Sequence, residues 1–80
     1  MNEFSIDVGS DQDHEDLVAE VYFDNEFVGM LTQEAGFGSM EVVIYPRGDG
    51  NPWTFRYEDF LRVLREARDR LWELRRSNNE

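Results

Sequence analysis

The chain has 80 residues, no cysteine and no lysine, 40% apolar residues, eleven aromatics and a formal net charge of −10. That length allows one domain over 1–80 with a small core, and the apolar content sets it apart from disordered chains. The missing cysteines exclude disulfides and thiolate metal sites, no run of ~18 apolar residues is present to cross a bilayer, and the charge repels nucleic acid and anionic membrane.

Glu3 to Val8 alternates, with Phe4, Ile6 and Val8 on one side against Glu3, Ser5 and Asp7, which predicts a strand over about 3–8. The polar segment 9–16, rich in Asp and Glu, reads as a loop. A second strand is predicted over about 16–23, where Leu17, Ala19, Val21 and Phe23 alternate with Val18, Glu20 and Tyr22. Asp24-Asn25 tolerates the positive φ of a tight turn and predicts a hairpin into a third strand over about 26–33, in which Gly29 marks a bulge or a close packing point.

Gly36 and Gly38 around Phe37 predict a hairpin tip, and Met40 to Tyr45 a fourth strand that ends at Pro46. Trp53-Thr54-Phe55 is either a short fifth, edge strand or an extended lead-in. The period then changes: Phe60, Leu64, Ala67, Leu71 and Leu74 recur at spacings of four and three, widened by Leu61, Val63 and Trp72, which predicts an amphipathic helix over about 58–76. Glu58 and Asp59 in its first turn, and Arg75 and Arg76 in its last, complement the helix dipole.

These elements predict an α+β fold: an antiparallel four- to five-stranded sheet with one C-terminal helix packed on one face, a two-layer sandwich. If Phe4, Ile6, Leu17, Val21, Phe27, Leu31, Val42 and Ile44 meet the helix, the other face carries Val18, Glu20, Tyr22, Val28, Met30, Glu41, Val43 and Tyr45. One helix cannot cover both faces, so this mixture of aliphatics, tyrosines and carboxylates is where a partner would sit.

Charge is unevenly placed. Residues 1–55 carry twelve carboxylates and one base, Arg47, whereas the other seven arginines all follow in 56–80 beside six carboxylates. In the helix, Glu58–Arg62, Arg62–Glu66, Arg65–Asp69 and Glu66–Arg70 are spaced i,i+4 and Glu73–Arg76 i,i+3, so the arginines neutralise locally rather than form a nucleic-acid patch. Arg68 falls within the apolar stripe, where its stem is expected to pack.

The familiar chemical motifs fail on their spacing. Read from Asp11 as a calcium loop, the chain has Asp16 where the turn glycine belongs and Tyr22 where the bidentate glutamate belongs. The single His14, expected exposed in the loop, has no catalytic Ser or Cys at a recognisable spacing. Gly36-Phe37-Gly38 lacks the third glycine and following helix of a dinucleotide site, and Arg47-Gly48-Asp49 is a chance tripeptide in a turn. The reading is therefore of a protein with no catalytic residue, no cofactor and no metal.

Glu15-Asp16-Leu17-Val18-Ala19-Glu20-Val21-Tyr22, Leu31-Thr32-Gln33-Glu34-Ala35-Gly36 and the segment from Phe60 to Ala67 resemble a group of small acidic bacterial proteins, among them immunity proteins of contact-dependent growth inhibition systems. That resemblance implies a cytoplasmic inhibitor that binds the C-terminal domain of a cognate toxin, in many such systems a basic nuclease, and blocks its active site. The expected partner is thus a basic protein, met by Asp11, Asp13, Glu15, Asp16, Glu20 and Glu41 for charge and by Tyr22 and Tyr45 for rigid contact area. Net charge predicts a monomer rather than a dimer. The competing expectations are a self-associating structural or adaptor domain pairing through the outer sheet face, and an acidic mimic of nucleic acid that binds another basic protein.

Overall fold

The computed structural model describes residues 3–12 and 14–78. Strands β1 (Phe4–Asp11), β2 (His14–Phe23), β3 (Glu26–Thr32) and β4 (Glu41–Ile44) form one antiparallel sheet in the order β1-β2-β3-β4, followed by helix α1 (Tyr57–Asn78). The architecture is the α+β two-layer fold expected, with four strands. Asp24 and Asn25 both take positive φ (50° and 69°), the backbone that a two-residue hairpin of matching twist requires.

Val63, Ala67 and Leu71 are the buried line of α1, and they pack onto Ala19, Val21, Val28 and Leu31 of the sheet. A second centre is aromatic. Phe4 meets the rings of Phe23 and Phe55 at 4.8 and 4.9 Å, and Phe55 stacks on Trp53 and Phe60, which ties the entry to α1 against the first hairpin.

Several expectations are corrected. The 9–16 segment is mostly strand: β1 runs on to Asp11 and β2 begins at His14, because ladder bonds need no apolar side chains once the hairpin register is set. His14 is accordingly half-buried at the start of β2, not exposed in a loop. Residues 53–55 form no strand. They are a lead-in, with Trp53 and Phe55 held by ring packing and the Trp53 indole donating to the Tyr45 carbonyl at 3.0 Å. The 34–39 segment closes through a 3-10 turn at Phe37–Ser39, with Phe37 against Trp72.

The stripe of α1 is also displaced. Leu74 and Trp72 are exposed and Leu64 is half-buried, since helix register places Val63, Ala67 and Leu71 over the sheet. Arg68 is exposed and pairs with Asp69. Arg62 pairs with Asp59, one turn nearer the N-terminus, while Glu66–Arg70 forms as spaced.

Register explains the largest correction. Val21 pairs with Gly29 but Tyr22 pairs with Phe27, so one extra residue, Val28, is inserted in β3. Val28 therefore packs inward with Val21 and Val63, and Phe27 turns to the outer face between Tyr22 and Tyr45. Beside this bulge β4 approaches so closely that a Cβ on Gly29 would collide with the Val43 carbonyl and lie 3.0 Å from Ile44 Cα. Gly29→Ala should cost about 1–3 kcal/mol as overpacking forces β3 and β4 apart, read as a lowered denaturation midpoint; an unchanged midpoint would refute the close approach.

Candidate functional site: the outer sheet face

The face away from α1 is laid out by the ladder in three rows. The first is Ser5, Tyr22, Phe27 and Tyr45; the second is Asp7, Glu20, Met30 and Val43; the third is Gly9, Val18, Thr32 and Glu41. Rings of Tyr22 and Phe27 lie 5.5 Å apart and those of Phe27 and Tyr45 5.2 Å apart, forming an aromatic row across three strands. Below it, Val18, Met30 and Thr32 are buried on the two central strands.

Carboxylates rim this apolar middle. Asp7 and Glu20 are direct cross-strand partners, Glu41 stands on the opposite flank, and exposed Asp16 lies farther along β2, its backbone N–H donating to Glu34 Oε2 at 3.2 Å. Among the described residues no guanidinium is within ion-pair reach of Asp7, Asp16, Glu20 or Glu41. The pairs Arg62–Asp59, Arg68–Asp69 and Arg70–Glu66 stay within α1, and Arg47–Asp49 stays within the loop after β4.

Glu20, Tyr22, Glu41 and Tyr45 thus share one face as expected, with Asp16 at its far end. Asp11 and Glu15 lie near the tip of the β1–β2 hairpin, and Asp13 falls outside the described residues. The face also carries Ser5, Asp7, Gly9, Phe27 and Thr32, of which Asp7 and Phe27 bear on a contact. Asp7 was visible in the alternation of β1, opposite Phe4, Ile6 and Val8, whereas Phe27 was hidden by the bulge.

Like charges placed directly across a ladder are unfavourable, and among the described residues no cation offsets Asp7 and Glu20. Burial, followed by the Glu20 charge, a hydrogen bond that the Tyr22 hydroxyl donates to Glu20 Oε1 (3.3 Å) and the Asp7 charge, raises the Tyr22 phenol above its ordinary 10.0. Comparison with family models, curated proteins and solved structures finds no match. No helix is long and apolar enough to cross a membrane among the described residues.

Relief of the carboxylate pair should be measurable: Asp7→Asn is expected to stabilise the fold by about 0.2–1 kcal/mol at low ionic strength, less as salt screens the pair. Denaturant midpoints at two salt concentrations check this, and a loss of stability would contradict it. For Tyr22 the sign runs the other way with pH. The unfolded chain releases the phenol proton before the folded one does, so the contribution is full below about pH 10 and is lost as pH rises through the folded value. Wild type should lose stability relative to Tyr22→Phe as pH is raised above about 10; parallel curves would show that the phenol is not shifted.

Proposed function

We propose that the protein is a non-catalytic inhibitor whose outer sheet face docks a cationic protein, in the manner of an immunity protein that occludes a basic toxin domain, a nuclease in the favoured case. The observation that carries this reading is the Asp7–Glu20 pair: two carboxylates held side by side, without a cation, next to the aromatic row Tyr22–Phe27–Tyr45. A surface that retains such a repulsive pair gains when a guanidinium or ammonium group arrives, because one cation relieves two anions at once.

The aromatic row supplies the other half of an interface. Tyr22, Phe27 and Tyr45 already pack against one another, so little side-chain freedom is lost when a partner covers them. Carboxylates beside the aromatic row and the exposed Val43 also match the polar rim and drier core of protein interfaces. An enzyme that binds phosphates must present a cationic groove, and a rigid acidic sheet placed there competes with its substrate by both charge and bulk.

The test uses the basic toxin domain encoded by the neighbouring reading frame, purified and mixed with wild type and with the Asp7→Lys/Glu20→Lys/Glu41→Lys variant. At about 0.05 M salt the wild-type association rate should exceed the variant's by roughly 10- to 100-fold, and the two should converge near 0.5 M. Binding without salt dependence would overturn the electrostatic mechanism. Absence of a basic domain beside this gene, or of inhibition on mixing, would overturn the immunity reading.

A further inference from the structure

We infer that the free edge of β4 is an interface with a second copy of this chain, the two β4 strands pairing antiparallel about a twofold axis at Val43. The Tyr45 N–H donates to the Val28 carbonyl at 2.9 Å, and Met30–Val43 and Thr32–Glu41 continue that ladder. Alternation along an antiparallel pair then turns the N–H and C=O groups of Val42 and Ile44 away from β3. These groups have no partner among the described residues.

The two sheet edges are treated differently. At β1, the ladder turns the Ile6 carbonyl outward, and Arg70 Nη1 reaches over from α1 to donate to it at 3.2 Å. Among the described residues nothing comparable covers β4, whose Val42, Val43 and Ile44 are all exposed, Ile44 at 54%. Between β4 and α1 lies an apolar groove of about 760 Å³ lined by Ile44, Trp53, Tyr57, Phe60, Leu61 and Leu64, with Tyr57 78% exposed on its rim. Soluble proteins blunt such edges with charge, cover or a partner, and this one has neither charge nor cover along its exposed aliphatics.

Charge and register point to a second copy as that partner. Residues 40–57, which carry the edge and most of the groove, hold Glu41 and Asp49 against Arg47 and Arg56 and are neutral in a chain of net charge −10. Two copies therefore meet here with less repulsion than the acidic outer face would impose. A twofold axis at Val43 pairs Val42 with Ile44 of the second copy, twice over, and each such pair exchanges both backbone bonds. It also sets Glu41 opposite Tyr45 of the second copy, so that a carboxylate meets an exposed phenol rather than another carboxylate. Val42 and Ile44 lie on the groove side, and the two grooves become one apolar trough between the helices.

This pairing departs from the monomer expected from net charge and does not rest on the cationic-partner reading. Its salt dependence has the opposite sign: screening should strengthen it. Sedimentation equilibrium of the intact chain up to about 300 µM, at roughly 0.05 and 0.5 M NaCl, should show a dimer whose dissociation constant falls several-fold at the higher salt. Ile44→Lys should weaken the dimer by about tenfold or more while circular dichroism stays native, because a lysine at an exposed edge position obstructs strand pairing. At about 0.5 M NaCl repulsion between the two introduced lysines is screened, so a loss that persists there reports obstructed strand pairing.

Amide exchange on the wild-type protein gives a readout independent of the variant: the Val42 and Ile44 N–H groups should gain protection as concentration rises. A monomer throughout at 0.5 M NaCl would overturn the inference. So would a dimer in which those two amides stay unprotected, which would place the contact elsewhere, or a folded Ile44→Lys protein that associates as tightly as wild type.

Discussion

One helix is narrower than four strands, and most of the surface chemistry of this protein follows from that mismatch. A helix with its side chains is about 10–12 Å across, whereas the axes of the outer strands in a four-stranded sheet are about 14 Å apart before side chains are counted. Helix α1 lies over β1 and β2 and reaches β3. Its Arg70 caps the Ile6 carbonyl on the β1 edge, and the apolar groove opens on the other flank, beside β4. The aromatic packing of Phe4, Phe23, Phe55 and Phe60 fixes this offset, because it anchors the start of α1 over the first hairpin rather than over the sheet centre.

The same layering sorts the charges. All arginines but Arg47 lie at or beyond position 56, and among the described residues Arg62, Arg68 and Arg70 find their ion-pair partners within the helix itself. Short-range pairing of this kind leaves Asp7, Asp16, Glu20 and Glu41 without a guanidinium among the described residues, since one held by its own helix does not reach around to the far side. The surface carries two unlike regions: an acidic face built on an aromatic row, and a neutral apolar edge with unpaired backbone groups. Raising the salt concentration weakens attraction to the first and removes repulsion at the second.

Much of this was legible in the alternation of the strands. Period-2 patterns in Phe4–Ile6–Val8 and in Leu17–Ala19–Val21 identified the inner face of β1 and β2, and Asp24-Asn25 located the tight turn. Gly29 marks a bulge or packing point in the sequence, yet the pattern after the turn does not show that Val28 is the inserted residue, because both Phe27 and Val28 are apolar and either could face the helix. That ambiguity exchanged the two residues between faces and concealed the middle ring of the aromatic row. The extension of the first hairpin was illegible for a related reason. Its residues are too polar to show burial, while what holds them in strands is backbone pairing, which leaves no mark in side-chain hydropathy.

The width mismatch was only half visible. That a single helix leaves one sheet face without a second layer can be argued from element count alone, but which strand escapes on the covered side depends on helix register. Leu64 sits in the centre of the apolar periodicity, yet Val63, Ala67 and Leu71 form the buried line, and a rotation of the helix by a fraction of a turn turns Leu61 and Leu64 toward the groove. Helical spacing defines a stripe without fixing its centre, and the groove depends on that centre. The two proposed contacts are in turn linked by charge. A cationic partner seated on Asp7, Glu20 and Glu41 lowers the net charge that opposes pairing at the neighbouring β4 edge, so occupation of the acidic face favours occupation of the edge, and by reciprocity a paired edge doubles the negative face presented to the partner.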